Sequence, residues 1–204
     1  RIGEIMSLLK IMLLISPVLA VVAYNNLSTA IIILGIAVCM LFVASPKYLQ
    51  FILMGIGVCL FGALFILLAS YRAERVMIWL HPEDYEKGYQ TLQGLYAIGS
   101  GGFFGKGLGN SAQKRIIPEV QNDMILSVIC EELGIFGAIV VLILFAMLLY
   151  RLLFIAQNAP DLYGSLIVTG IFAHIALQVV LNVAVVTNTI PNTGITLPFI
   201  SYGG

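Results

Sequence analysis

Four acids crowd one short stretch of this chain, IPEVQNDMILSVICEELG at residues 117–134, with Glu119 ahead of the other three. Asp123 stands at the lip of an apolar run, and Glu131 and Glu132 lie inside it. If a helix begins near Asn122, Asp123 falls in its first turn, beside the positive end of the helix dipole. A carboxylate there can act simply as a helix-end charge or cap, worth about a kcal/mol or less. It can equally act as a general base. Glu131 and Glu132 follow eight and nine residues later, about 12–14 Å further along a helix axis and rotated by roughly 80° and 180°. Paired-carboxylate glycoside hydrolysis needs the two groups roughly 5–10 Å apart, so this spacing argues against it unless the helix breaks. Transfer from a diphosphate donor needs less: the leaving group is already good, and one base for the attacking hydroxyl suffices.

The second chemical feature is GSGGFFGKGLG at 99–109. Its spacing fails the phosphate-loop pattern, which would need glycine where Ser100 stands and a hydroxyl where Gly107 stands, and GxGxxG fails as well. Two readings stay open: a close-packed or re-entrant turn that only glycine can follow, or backbone amides lining a site for an anion. Bases flank the stretch, with Arg72 and Arg75 before it and Lys106, Lys114 and Arg115 within or after it. Arg72 and Arg75 share a face if the preceding helix continues, and such a pair can snorkel to an interface or join a diphosphate site. A third set, His174, Gln178 and Asn182, recurs every four residues in an apolar segment. Polar groups in that setting bond between helices, line a cavity or pass protons. His174 has no second histidine or carboxylate cluster beside it, so no metal site is expected. Cys39, Cys59 and Cys130 lie in or beside apolar runs without CxxC spacing and read as small buried hydrophobes.

The elements that must position these residues follow from composition. The chain has 204 residues, of which 60% are hydrophobic and only 10% charged, and a mean hydropathy of +1.04. Soluble domains hold about 25% charged residues, so an ordinary water-soluble globule is excluded, and a net charge of zero gives no sign of nucleic-acid binding. The expected class is all-α: a polytopic helical membrane protein forming one membrane domain. Five segments are long enough to cross about 30 Å of hydrocarbon, at 8–24, 27–44, 49–71, 125–150 and 162–186. Short turns at Asn25-Asn26 and Ser45-Pro46-Lys47 make the first three antiparallel neighbours. The strings ILGIAVC (33–39) and LMGIGVC (53–59) echo each other, which shared membrane composition explains. A loop spans 72–123, too aromatic for a disordered linker, and 187–204 forms an irregular cap rich in proline and glycine. The basic short loops near Lys10, Lys47 and Arg151 fall on one side, which the positive-inside rule makes cytoplasmic; loop and cap are then extracytoplasmic. The loop's own bases are balanced by acids that include Glu119 and Asp123. An opening on Arg1 and a stop straight after Gly203-Gly204 suggest a piece of a longer chain.

Three motifs in order, GYQTLQGLYAIGSGGFFGKGLGNSAQK (88–114), IPEVQNDMILSVICEELG (117–134) and PNTGITLPFISYGG (191–204), resemble the SEDS family of bacterial wall synthesis, the FtsW, RodA and SpoVE proteins. GITLPFISYGG is most similar to the FtsW and SpoVE branch. The resemblance implies a bundle of about ten helices, of which this chain would supply helices five to nine. It implies a multi-pass protein of the bacterial cytoplasmic membrane. The implied activity is a peptidoglycan glycosyltransferase that polymerises lipid II into nascent glycan strands in division or sporulation, with a class B penicillin-binding protein and other divisome proteins as partners. QNDMIL aligns with the family's HTDFIF-like motif, so Asp123 matches its essential acid. Gln121 and Asn122 replace the usual His-Thr, and YNNLSTA (24–30) stands where EPDLGTA is frequent. On this reading Asp123 is the base, and Arg72, Arg75, Lys106, Lys114, Arg115 and Glu119 are the candidates for holding substrate. Structural or cavity-lining roles fall to Gln90, Gly101, Gly102, Glu131, Glu132, His174, Gln178, Asn182, Pro198, Ser201 and Tyr202. A divalent cation, Mg or Mn, could share the diphosphate, although no ligand cluster demands one. The competing classes are a flippase for the same lipid, drawing on the polar stripe at His174, and a non-catalytic scaffold of a wall-synthesis complex.

Overall fold

The computed structural model describes residues 5–45, 70–115 and 120–202, and within these not the side chains at 5, 7, 9, 70–74, 87 and 115. The expected segment at 49–71 therefore lies almost wholly outside the described residues. Among these residues every regular element is helical: α1 (Ile5–Asn25), α2 (Leu27–Ala44), α3 (Ser70–Leu80), α4 (Tyr89–Gly101), α5 (Ile125–Gln157) and α6 (Leu162–Val186), with short 3-10 turns at Pro82–Asp84, Glu86–Gly88 and Gln113–Arg115. Three of the described helices, Leu27–Ala44, Ile125–Gln157 and Leu162–Val186, are long and apolar enough to cross a membrane. The chain divides into two compact units, residues 1–68 with 148–177 and residues 69–147 with 178–204.

In the first unit α1 and α2 form a hairpin. Asn26 breaks between them in an extended conformation and caps α2, its side chain accepting from the Thr29 amide at 3.2 Å. Asparagine does this well because its carbonyl satisfies an amide that has no intrahelical partner. Pro17 sits inside α1, as an apolar helix in a bilayer tolerates. Leu8 and Leu41 close the hairpin's core with Ile11, Met12 and Val38 around them. Small residues let further helices come close: a Cβ on Gly170 of α6 would stand 3.3 Å from Met40 Sδ, and one on Gly35 would meet the end of Leu177. Asp161 starts α6 by accepting from the Gly164 amide at 2.8 Å.

The second unit holds the loop and its surroundings. The long helix α5 is two helical pieces joined at Gly134, whose φ of 71° and ψ of −175° no L side chain adopts readily. The pieces meet different environments. In 125–133 Leu126, Ser127, Val128, Cys130 and Glu131 are buried, whereas Ile135, Phe136, Ile139, Ile143, Leu144 and Met147 are exposed. α5 begins at Ile125 rather than near Asn122. This corrects one expectation: Asp123 stands before the helix instead of in its first turn. At the far end α5 runs to Gln157, seven residues past the boundary drawn at 150. Arg151 does not stop the helix, because its guanidinium lies 5.4 Å from the Phe154 ring centroid and the apolar run continues beneath it.

Candidate functional site

Asp123 is buried, at 9% exposure, in the wall of a cavity of about 300 Å³. Arg75, Ile78 and Trp79 of α3, Thr91 of α4, and Asn188, Asn192, Thr193 and Gly194 of the segment after α6 complete the lining. All nine residues belong to the second unit. The acid is held from several directions. Gln90 of α4 donates from Nε2 to Asp123 Oδ1 at 3.1 Å. Asn182 of α6 is fully buried and donates from Nδ2 to both the Asp123 and Ile195 carbonyls, each at 2.8 Å. One amide thereby ties the residue before α5 to the cap that follows α6. A second tie joins the Tyr202 amide to the Gln121 carbonyl at 2.8 Å, and Ser201 Oγ accepts from the Leu197 amide to tighten the turn around Pro198.

The opposite rim is fixed by a reciprocal pair. Trp79 Nε1 donates to the Asn188 carbonyl at 2.9 Å, and Asn188 Nδ2 donates to the Trp79 carbonyl at 3.4 Å. Asn188 has a φ of 54°, a left-handed conformation that asparagine tolerates better than most residues. Thr193 Oγ1 is buried and has no hydrogen-bond partner among the described residues. The lining thus combines one carboxylate, one guanidinium, two hydroxyls and two amides around an aromatic ring, which suits a polar ligand with hydroxyls and an anionic group.

The other acids lie in a different cluster. Glu131 is fully buried, and its Oε1 is 2.7 Å from Lys106 Nζ. The same carboxylate accepts from Ser100 Oγ at 3.4 Å, from the amides of Ala112 and Gln113 at 3.3 and 3.2 Å, and from Ser111 Oγ. The glycine stretch closes over it. The amides of Lys106 and Gly107 donate to the Glu131 and Glu132 carbonyls at 2.9 Å, and the Gly102 and Phe103 carbonyls accept from Ile135 and Phe136. A Cβ on Gly101 would collide with the Cys130 carbonyl. Of the two readings left open for the stretch, the structure displays the close-packed turn: its amides at 105, 106 and 107 point at the protein's own carbonyls. Glu132 is half-buried, its Oε1 without a partner among the described residues.

The substrate-holding candidates are dispersed. Arg75 reaches the cavity, Lys106 is engaged with Glu131, and Lys114 is exposed with its amide bonded to Ser111 Oγ. The Arg72 and Arg115 side chains and all of Glu119 lie outside the described residues. Gly102 ends α4 with a φ of 59°. His174 is exposed, Gln178 half-buried and Asn182 fully buried, so the three positions do not meet one environment. Sequence reasoning missed Trp79, Thr91, Asn188, Asn192 and Thr193 as cavity walls; their signal was weak, a lone tryptophan in the loop and the polar string TNTIPNTG. Among the described residues one set of metal-type donors lies close together, His81, Glu83 and Asp84, with ligand atoms within 4.8 Å of one another. All three are exposed and none lines the cavity, where a cation would find Asp123 as its one anionic ligand.

The family profile described as "Cell cycle protein", covering FtsW, RodA and SpoVE, matches residues 3–204. The chain belongs to this family. Relatives include Stage V sporulation protein E of Bacillus subtilis, 45% identical over 93% of this chain and 52% of its own length. The Probable peptidoglycan glycosyltransferase FtsW of Trichlorobacter lovleyi is 38% identical over 88% of this chain and 48% of its own. A solved structure described as "Structural coordination of polymerization and crosslinking by a peptidoglycan synthase complex" superposes with a TM-score of 0.76 at 28% identity, over 98% of this chain and 57% of that one. The chain thus spans about half the length of the relatives it matches. Membership in the FtsW/RodA/SpoVE family and the long apolar helices make it part of a multi-pass membrane protein.

Proposed function

We propose that the full-length protein is a peptidoglycan glycosyltransferase that polymerises lipid II. The observation that carries the reading is a single buried carboxylate, Asp123, in a polar cavity shared with Arg75. Asp123 removes the proton from the acceptor sugar's 4-hydroxyl, whose oxygen attacks the anomeric carbon of the polyprenyl-diphosphate-linked donor and displaces the diphosphate with inversion. Gln90, bonded to Oδ1, keeps the carboxylate aimed. Arg75 supplies positive charge and paired N–H donors to the departing diphosphate, and Thr193 Oγ1 is placed to bond a sugar hydroxyl or phosphate oxygen. Arg72, Lys114, Arg115 and Glu119 remain candidates for the same substrate. The protein resides in the bacterial cytoplasmic membrane with the cavity on the extracytoplasmic side, a placement supported by the basic short loops. The solved relative concerns a peptidoglycan synthase complex, which supports a class B penicillin-binding protein as the partner.

Glycan polymerisation from purified lipid II, by full-length protein with its partner, tests the assignment. Asp123→Asn and Asp123→Ala should abolish polymer while leaving partner binding and lipid translocation intact. Polymer formation at the wild-type rate by either variant would remove Asp123 from the mechanism.

A further inference from the structure

The cavity around Asp123 has a wall whose composition the proposed chemistry leaves unexplained. Arg75, Ile78 and Trp79 stand at i, i+3 and i+4 of α3, so they share one helix face, and all three line the cavity. Arg75 has a task there; the two apolar side chains have none. Trp79 is the one aromatic residue among the described lining residues, and it is half-buried. Its Nε1 donates to the Asn188 carbonyl at 2.9 Å, while Asn188 Nδ2 returns a bond to the Trp79 carbonyl at 3.4 Å.

That reciprocal pair decides what the indole can offer a ligand. An indole has a single polar atom, a donor, and here the protein itself consumes it. What remains is hydrocarbon with an electron-rich face, held so that little side-chain freedom is left to lose on binding. The rest of the lining has the opposite character: Thr91, Asn188, Asn192 and Thr193 carry hydroxyls and amides and no charge. A ligand matched to both must present C–H groups on a face and hydroxyls around its edge. A hexosamine chair does so, with axial hydrogens on its faces and equatorial hydroxyls and an acetamide at its rim. An acyl chain would strand the amides and hydroxyls, and a bare phosphate would gain nothing from Trp79. The volume, about 300 Å³, lies at the small end for ligand sites, and suits one such ring rather than a disaccharide with its diphosphate.

We propose that Trp79 is the stacking platform for a single hexosamine ring, that of the acceptor. The base in the same cavity must reach the attacking hydroxyl, so the ring lies with its 4-hydroxyl toward Asp123 and the donor's sugars stay outside. The choice of acceptor over donor rests on the glycosyltransferase reading above. Asn188 acts through Trp79, as the residue that keeps the platform in place.

The probe is methyl β-N-acetylglucosaminide, a soluble ring with a free 4-hydroxyl, titrated by saturation-transfer NMR onto the full-length protein in nanodiscs without donor. Trp79→Leu should weaken its binding roughly tenfold, and Trp79→Phe, which keeps a ring but loses the bond to Asn188, by much less. With lipid II, Trp79→Leu should raise KM by a similar factor and leave kcat nearly unchanged, because a platform holds ground and transition states alike. Melting curves matched to wild type establish that each variant is folded. Equal binding by wild type and Trp79→Leu overturns the proposal, as does a wild type that does not bind the glycoside. A Phe variant as weak as the Leu variant overturns it too, since the bond to Asn188 and not the ring would then matter. The arms separate the two failures: a wild type that binds the glycoside but makes no polymer strikes at the glycosyltransferase reading, whereas equal glycoside binding beside normal polymerisation strikes only at the platform.

Discussion

Removing the Glu131 carboxylate should open the glycine stretch without unfolding the protein. Glu131 is fully buried and gathers Lys106 Nζ, Ser111 Oγ and the Ala112 and Gln113 amides around its two oxygens. Breaking a buried ion pair by deleting one partner costs about 3–5 kcal/mol, because the other charge and its donors are left uncompensated. Here the Lys106 side chain is 38% exposed, so its ammonium recovers part of its hydration and the lower end applies. Ser111 is buried and cannot do the same. About 3 kcal/mol corresponds to roughly two orders of magnitude in the local opening equilibrium. The assay is amide hydrogen exchange on the full-length protein in lipid nanodiscs. In Glu131→Ala the amides of residues 105–107 and 135–136 should exchange about a hundredfold faster than wild type, while the amides of α2 stay unchanged. Glu131→Gln, which keeps volume and one acceptor, should fall between. A double-mutant cycle with Lys106→Met isolates the ion pair: adding it to Glu131→Gln should cost less than it does alone. Unchanged exchange at 105–107 in Glu131→Ala would refute the reasoning, since the carboxylate would then not be holding the loop.

The remaining predictions test other joints of the same unit. Gly134→Ala forces a Cβ into a positive-φ site against the Phe103 carbonyl, so folded yield in detergent should collapse. Gly99→Ala, with nothing within 4 Å of its Cβ, should be neutral or raise the melting temperature slightly, by up to about 1 kcal/mol of helix propensity. Asn182→Leu removes a buried donor from both the Asp123 and Ile195 carbonyls and should lower stability by about 2 kcal/mol or more, read by thermal melting. Gln90→Leu removes the donor on Asp123 Oδ1; losing a bond to a charged group, about 1.5–3 kcal/mol, should reduce kcat of polymerisation roughly ten- to a hundredfold with little change in KM.

The helices were legible because their signal is local. Sustained apolarity bounded by Asn26 and Ser45 places a helix at 27–44, and Leu27–Ala44 is helical; α6 likewise runs Leu162–Val186, where the hydropathy places a segment. The acid was singled out through a motif, and the structure places Asp123 in the cavity wall. The cavity itself was not. Trp79 and Asn188 are 109 residues apart in sequence, and neither shows its partner in any periodic pattern. The break in α5 was hidden for a related reason. A glycine in an apolar run is ordinary in membrane helices, so Gly134 carries no mark of its φ of 71° until the Phe103 and Gly105 backbone is packed against it.

That break links the two clusters of acids. An unbroken α5 would carry Glu131 and Glu132 on a continuous apolar rod, where burying each charge in lipid would be costly. Stopping the rod at Gly134 lets the glycine stretch hydrogen-bond across the gap and supply Lys106 to Glu131. The piece before the break is then a protein-wrapped pedestal, with Asp123 just ahead of its first turn and α4 packed against it through Gly101 and Cys130. Because α4 also carries Gln90 and Thr91, the clasp that neutralises Glu131 and the wall that orients Asp123 share one helix. A loosened clasp should therefore reach the cavity through α4, so Glu131→Ala should slow polymerisation even though Glu131 lines none of it.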